Sequence, residues 1–258
     1  ILNKNMEENN NMKIGVLTDS SSYLTKEQCE KYGIDVLPIP IIWDNKEYLD
    51  LIDIGFHEFY EKLSTSSTLP TTSQPSTGTV KKYVDKYIDE GYTDLIIITL
   101  SSGISSFYNN VLSVADEESR INIHPFDCKI TCAGEANAAI LAGRLVKAGA
   151  DIDLIMHDLK DLRNTTDVRF MVANLNHLKR TGRLSNAASF DEEREAEWVS
   201  DYESSFPKVK IYQSIIGPVV GVHVGQHTMA MIWGRDLDSY FDENGKPIKD
   251  IKSKVVED

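Results

Sequence analysis

The chain has 258 residues and a formal net charge of −13, from 27 basic and 40 acidic side chains. This charge argues against nucleic acid or an anionic membrane surface as the main partner. The apolar fraction of 41% is typical of a globular protein, and no apolar run reaches the roughly 18 residues of a membrane span. We expect one large domain or two ordinary ones, preceded by a polar tail at residues 1–11.

The three cysteines are odd in number, which favours a reducing compartment, the cytoplasm. Cys128 and Cys132 are four positions apart with His124 nearby, but a fourth metal ligand is missing from the pattern. We therefore expect buried thiols and no metal. Neither a GxGxxG after the first strand nor a P-loop pattern occurs, so we expect no dinucleotide or P-loop nucleotide.

The first part of the chain reads as strand, turn and helix. Residues 12–17 (MKIGVL) predict a buried parallel strand, and residues 18–22 (TDSSS) form a polar turn at its carboxyl end, the edge at which open α/β sheets bind ligands. Residues 25–28 have capping-box spacing, with a helix stop at Gly33. Residues 34–43 are extended, and their two prolines predict a sheet edge or a domain border rather than a central strand.

The alternation of strands and helices continues to about residue 165. Apolar spacing predicts helices near residues 56–63, 80–88, 135–149 and 153–162, with strands at 94–100 and 121–126. This order predicts an α/β domain over residues 12–165, with a parallel sheet and helices on both faces. Residues 166–258 form the second predicted domain.

Two hydroxyl-rich segments precede helices. Residues 69–76 (LPTTSQPS) are stiffened by two prolines, and residues 101–106 (SSGISS) follow the most strand-like segment of the chain. Hydroxyls and amides at helix starts can bind an anionic head group. The alternative interpretations are a Ser/Thr-rich linker for the first segment and helix capping for the second.

Two further features lie in the second domain. Residues 179–183 (KRTGR) form a compact basic element in an acidic protein, with a solvated turn as the alternative interpretation. Residues 217–225 (GPVVGVHVG) are apolar and punctuated by glycine. A lone histidine in such surroundings, here His223, is commonly a core residue.

Five segments taken together resemble the DegV family of bacterial fatty-acid-binding proteins, which includes the acyl-carrying subunits of bacterial fatty acid kinase. In chain order they are residues 13–20 (KIGVLTDS), 70–75 (PTTSQP), 100–105 (LSSGIS), 178–185 (LKRTGRLS) and 217–225 (GPVVGVHVG). The resemblance implies a two-domain α/β fold, with a parallel sheet flanked by helices and a second α/β domain. The acyl chain is then expected between the domains.

The resemblance also implies a site. The residues expected to bind the fatty acid are Thr71, Thr72, Ser73, Ser101, Ser102, Gly103 and His223. Arg183 is expected to face the site of phosphoryl transfer or the partner, a kinase catalytic subunit that converts the bound fatty acid to an acyl phosphate. The chain itself is expected to be no catalyst and to need no cofactor besides the long-chain fatty acid that it binds.

Two departures from the family pattern affect these expectations. Ser106 stands where relatives often carry glycine, and a helix, strand and basic hairpin expected after Ala188 are missing, so the second domain should be shortened.

Two other functions are alternatives. One is a hydrolase that uses Ser101 or Ser102 with His223 as base and Asp19 as the orienting acid, although residues 100–105 lack GxSxG. The other is a domain that binds a phosphorylated metabolite.

Overall fold

The computed structural model describes residues 12–171, 214–225 and 228–249. The predicted basic element at residues 179–183, with Arg183, lies outside the described residues, as do the tail at residues 1–11 and residues 189–213, where the family pattern departs.

Strands and helices are interleaved between residues 14 and 165, although three strands follow one another at residues 34–49 and two helices at residues 133–165. The strands are β1 Ile14–Asp19, β2 Ile34–Leu37, β3 Pro40–Trp43, β4 Lys46–Leu49, β5 Thr71–Thr72, β6 Asp94–Thr99, β7 Asn122–Asp127, β8 Asp167–Met171 and β9 Met229–Trp233. The helices are α1 Lys26–Tyr32, α2 Phe56–Thr65, α3 Thr77–Asp89, α4 Phe107–Glu117, α5 Ala133–Lys147, α6 Ile152–Thr165 and α7 Pro218–Val224. Short 3-10 turns cover Ser20–Ser22 and Leu237–Tyr240.

The main sheet is parallel, with the strand order β2-β1-β6-β7. Alternate residues of β6 point into two different cores, because successive side chains of a strand face opposite ways. Leu95 and Ile97 pack with α2, α3 and α4, whereas Ile96 and Ile98 pack with α5 and α6. The sheet is therefore covered by helices on both faces, which confirms the predicted α/β architecture.

Local signals set the ends of α1. Thr25 and Gln28 form the predicted capping box, and the helix ends at Gly33 with φ 69°. Glycine suits this left-handed position because it has no Cβ to collide with the backbone.

The expectation that prolines would exclude residues 34–43 from a central strand is wrong for β3. β2 is an edge strand of the parallel sheet, but β3 is the middle strand of an antiparallel sheet with the order β4-β3-β5. Pro40 is tolerated because it is the first residue of its strand, and its carbonyl still accepts the Ser73 N–H at 3.0 Å.

The described part of the second region consists of a hairpin and a helix. β8 and β9 pair antiparallel, with Val168 opposite Ile232. α7 buries Val219 and Val222 in the core that contains α2 and α3. After β9 the chain returns to the helices of the parallel sheet, where the Tyr240 hydroxyl donates to Asp161 at 2.7 Å. The predicted domain boundary near residue 165 stays a prediction.

Candidate functional site

A cavity of about 540 Å³ lies at the carboxyl end of the parallel sheet. Its floor comes from the loops that follow β6 and β7, and its walls come from the segment after β5, from α7 and from the β8–β9 hairpin. Apolar side chains dominate the wall: Val168, Ile216, Val219, Val220, Val224 and Ile232. The volume is in the range of small-molecule sites, and the position is the one at which open α/β sheets bind ligands.

The wall of the cavity carries a hydrogen-bonded pair from distant parts of the chain. The Thr72 hydroxyl lies 2.8 Å from Nε2 of His223, and both side chains line the cavity. His223 is placed there by α7, and Thr72 by its pairing in β5 with Ile41 of β3. When Nε2 carries a proton and donates it to the Thr72 oxygen, the Thr72 hydroxyl proton is left to donate to an anion in the cavity.

The other predicted residues of the first hydroxyl segment differ in position. Ser73 lines the cavity. Thr71 is exposed, pairs with Ile42 and is not part of the cavity lining. Adjacent residues of a strand face opposite ways, which explains why Thr72 and not Thr71 meets His223.

The predicted residues of the second hydroxyl segment also differ in whether they line the cavity. Ser101 lines the cavity, and its Oγ accepts the Gly103 N–H at 3.2 Å. Within the described residues the Ser101 hydroxyl proton has no acceptor, so it is available to a ligand. Ser102 and Gly103 do not line the cavity, and the Ser102 hydroxyl donates to the Asp127 carboxylate. Ser102 therefore stabilises the turn after β6 through its bond to Asp127, on the side away from the cavity.

The two hydroxyl segments are joined to each other. The Ser106 hydroxyl donates to Oε1 of Gln74 at 2.9 Å, and the Asn110 amide donates to the Pro75 carbonyl at 2.8 Å. Ser106 is the position at which the family resemblance led us to expect glycine. Its hydroxyl thus supplies a link between the two loops that a glycine lacks.

Two tyrosines hold α7 against the rest of the protein. The Val220 N–H donates to the Tyr23 hydroxyl at 3.0 Å, and the Tyr60 hydroxyl donates to the Ile216 carbonyl at 2.8 Å. A side chain at Gly217 would collide with the Tyr23 ring. The glycines of this segment leave room for the tyrosine rings. The contacts of α7 with the two tyrosines set the position of His223.

The loop after β7 contributes residues that the sequence analysis did not assign to the site. Lys129 lines the cavity, and its Nζ lies 2.7 Å from Oδ2 of Asp127. Burial opposes the charge of Asp127, but hydrogen bonds from Lys129 and Ser102 outweigh it and lower the pKa of this carboxyl. The signal that could have found Lys129 is its place directly after β7, at the same edge of the parallel sheet as the loops after β1 and β6.

Cys132 also lines the cavity, and burial raises the pKa of its thiol to about 12. Because the thiol stays protonated at neutral pH, Cys132 forms part of the apolar cavity wall and does not act as a nucleophile. Cys128 is buried as well, as predicted. Among the residues that the structure describes, no group of three or more His, Cys, Asp or Glu side chains could hold a metal ion.

The arrangement disfavours the hydrolase alternative. Asp19, the proposed orienting acid, is fully buried and bonds with Ser21, Leu100 and Glu135 instead of His223. The imidazole of His223 is engaged by Thr72. A catalytic triad needs the acid to orient the histidine, and Asp19 is committed to other partners.

Comparisons with known proteins find relatives among DegV proteins, in sequence and in fold. A DegV domain-containing protein of Staphylococcus aureus (strain N315) is 32% identical over 231 residues, which cover 88% of this chain and 76% of that protein. The crystal structure of DegV, a fatty acid binding protein from Bacillus subtilis, matches with a TM-score of 0.80 at 26% identity, covering 87% of this chain and 100% of that one. The fatty acid binding DegV family protein of Streptococcus agalactiae matches with a TM-score of 0.74 at 25% identity, covering 87% and 99%.

Fold and cavity define an α/β protein whose parallel sheet ends at an apolar, ligand-sized cavity. The chain matches the family described as "Uncharacterised protein, DegV family" over residues 13–190. It belongs to the DegV family, as its motifs indicated. In the part of the chain that the structure covers, no helix combines the length and apolar character needed to cross a membrane.

Proposed function

We propose that the chain binds one long-chain fatty acid in the cavity at the carboxyl edge of the parallel sheet. The observation that carries the proposal is an apolar cavity with the Thr72–His223 pair and Ser101 on its wall. The fatty acid binding stated for the relatives from B. subtilis and S. agalactiae supports it. In this proposal the protein acts in the cytoplasm.

The acyl chain supplies the binding energy. A chain of about 16 carbons buried at about 0.8 kcal/mol per CH₂ gives on the order of 12 kcal/mol before the cost of ordering both partners is subtracted. The apolar walls of α7 and of the β8–β9 hairpin offer the surface against which these carbons pack.

The carboxylate needs hydrogen bonds, because an unpaired charge in such a cavity costs several kcal/mol. Ser73, Ser101 and the Thr72–His223 pair provide them in this proposal. Thr71, Ser102 and Gly103 lie outside the cavity lining and act through the geometry of their loops. Hydroxyl donors satisfy the carboxylate without a tight ion pair, so its oxygens stay nucleophilic.

The bound carboxylate is presented to a kinase catalytic subunit, which is the partner we propose. A carboxylate oxygen attacks the terminal phosphorus of the nucleoside triphosphate bound by the kinase. The bond from this phosphorus to the nucleoside diphosphate breaks, and the fatty acid becomes an acyl phosphate. The chain contributes binding and orientation and is itself no catalyst. Arg183 is proposed to contact the phosphoryl group or the kinase, since its planar donor fork suits phosphate oxygens.

Competition against a fluorescent polyene fatty acid tests the binding site. Unlabelled palmitate should displace the probe, and palmitate methyl ester should compete at least about tenfold more weakly because it lacks the anion that the hydroxyls bind. Equal competition by acid and ester would contradict the proposed head-group site.

A further inference from the structure

A set of buried polar side chains lies directly behind the cavity, at the end of β1 and the start of α5. Thr18, Asp19, Ser21 and Glu135 are all at most 1% exposed. Ser21 Oγ lies 2.7 Å from Oδ1 of Asp19 and 2.8 Å from Oε2 of Glu135. The two carboxyls are also within hydrogen-bonding reach of each other.

The number of protons in this set follows from the geometry. A hydroxyl has one proton and donates it to one acceptor. Ser21 therefore donates to one carboxyl and accepts from the other, which must carry a proton of its own. Two carboxyl groups in contact at a buried site also share one proton rather than both ionising.

The hydrogen-bond donors indicate which carboxyl is charged. Asp19 accepts the backbone N–H of Ser21 at 3.0 Å through Oδ1 and that of Leu100 at 2.9 Å through Oδ2. Glu135 Oε1 accepts the Thr18 hydroxyl at 2.9 Å. Two backbone donors stabilise the carboxylate form of Asp19, which leaves the proton on Glu135. Burial, and then the charge of Asp19, raise the pKa of Glu135 well above its ordinary value.

The carboxylate of Asp19 is tied to the cavity floor. Leu100, whose N–H it accepts, lines the cavity next to Ser101. The Ser21 carbonyl accepts the N–H of Cys132 at 2.9 Å, which joins the same set to the loop before α5. A shift of Asp19 therefore moves two of the loops that form the floor.

Among the residues that the structure describes, no cation acts on the pKa of either carboxyl of the pair. Burial raises the pKa of the Cys128 and Cys132 thiols, so both are neutral. Asp50 is a further carboxyl, reached through Ser20. Tyr23 is kept as a neutral phenol because burial raises its pKa. The net charge of the Asp19–Glu135 pair is therefore kept at about −1 by the proton on Glu135 and not by a neighbouring cation.

We propose that Asp19 is a positioning residue for the Ser101 turn, and that it acts as a carboxylate held by a protonated Glu135. The consequence for ligand binding rests on the proposed fatty-acid site, whereas the proton on Glu135 does not.

Two amide substitutions of equal size separate the two roles. In E135Q the new NH₂ group replaces the carboxyl proton as donor to Ser21 or Asp19, and the amide oxygen still accepts from Thr18. In D19N an NH₂ group must face one of the two backbone N–H groups. E135Q should therefore keep fatty-acid affinity within about twofold, and D19N should lose about tenfold or more. Equal losses, no loss in either variant, or the reverse order would overturn the assignment.

Infrared spectroscopy tests the proton itself and needs neither a ligand nor the D19N variant. The wild-type protein at neutral pH should show the C=O stretching band of a buried protonated carboxyl. At neutral pH the partly protonated Asp50 also absorbs in this region, so E135Q should lose one component of the band, and D50N, the control for the other buried acid, should keep that component. A band that is unchanged in E135Q would overturn the proposal whatever the affinities are.

Discussion

The hydroxyl of Thr72 lies 2.8 Å from Nε2 of His223, although 151 positions of sequence separate the two residues. The contact joins β5 to α7 at the wall of the cavity. The pairing of β5 in the antiparallel sheet therefore positions a residue of the proposed head-group site.

Replacing Thr72 by valine should weaken fatty-acid binding by about 1–3 kcal/mol, because a buried acceptor loses a hydrogen-bond donor. T71V is the matched control, since Thr71 belongs to the same two-residue strand but is exposed and lies outside the cavity lining. From the sequence, the family resemblance placed the carboxylate near Thr71, with Thr72 among the further binding residues. Fluorescence titration of both variants checks the prediction, and a larger loss in T71V would contradict it.

Local patterns explain why so much of the fold could be predicted. The continuous apolar run of β6 and the capping box at Thr25 depend on neighbours in sequence, so they are visible without the structure. The same holds for the two hydroxyl segments that precede helices α3 and α4.

Long-range packing explains what could not be predicted. α7 contains valines and a glycine, residues with low helix propensity, and it is helical where it packs between Tyr23 and Tyr60. The side of β5 that faces the cavity depends on its register with β3. The pairing of Asp19 with Glu135 likewise joins positions far apart in sequence, so no local pattern reveals it.

Ser101 and Ser102 should respond differently to alanine. S101A removes a hydroxyl on the cavity wall and should weaken fatty-acid binding by about 1–3 kcal/mol with little loss of stability. S102A removes the donor to Asp127 and should lower the free energy of unfolding by about 1–3 kcal/mol while affinity changes less. Urea unfolding and ligand titration on the same preparations check both. The opposite assignment of effects would show that Ser102 is the ligand donor.

Asp50 should make stability depend on pH in an unusual direction. The residue is 1% exposed, and burial, followed by the charge of Asp19, raises its pKa from 3.8 to about 7. The folded protein therefore binds a proton more tightly than the unfolded chain. This contribution is fully present below about pH 4 and is lost as the pH rises through about 7, with a total of up to about 4 kcal/mol.

Urea unfolding of wild type and D50N across this range measures the effect. The amide of D50N keeps an acceptor for the Ser20 hydroxyl, which bonds Oδ2 of Asp50 at 2.7 Å. The free energy of unfolding of wild type relative to D50N should fall as the pH rises. A difference between the two proteins that is constant with pH would show that Asp50 does not titrate there.

Arg183 should separate binding from phosphoryl transfer. R183A should leave fatty-acid affinity nearly unchanged, because in the proposed site hydroxyl groups bind the carboxylate. Acyl-phosphate formation with the proposed kinase should fall about tenfold or more, since one charge-assisted contact is lost. R183K should recover part of the rate, as lysine lacks the planar fork. Equal losses of affinity and rate in R183A would instead indicate a role in the fold or the cavity.

Native mass spectrometry tests the central claim most directly. The wild-type protein, as purified or after incubation with palmitate or oleate, should carry one bound fatty acid per chain, and T72V should carry less under the same conditions. Wild-type protein that remains empty after incubation with both fatty acids, although folded, would contradict the proposed function.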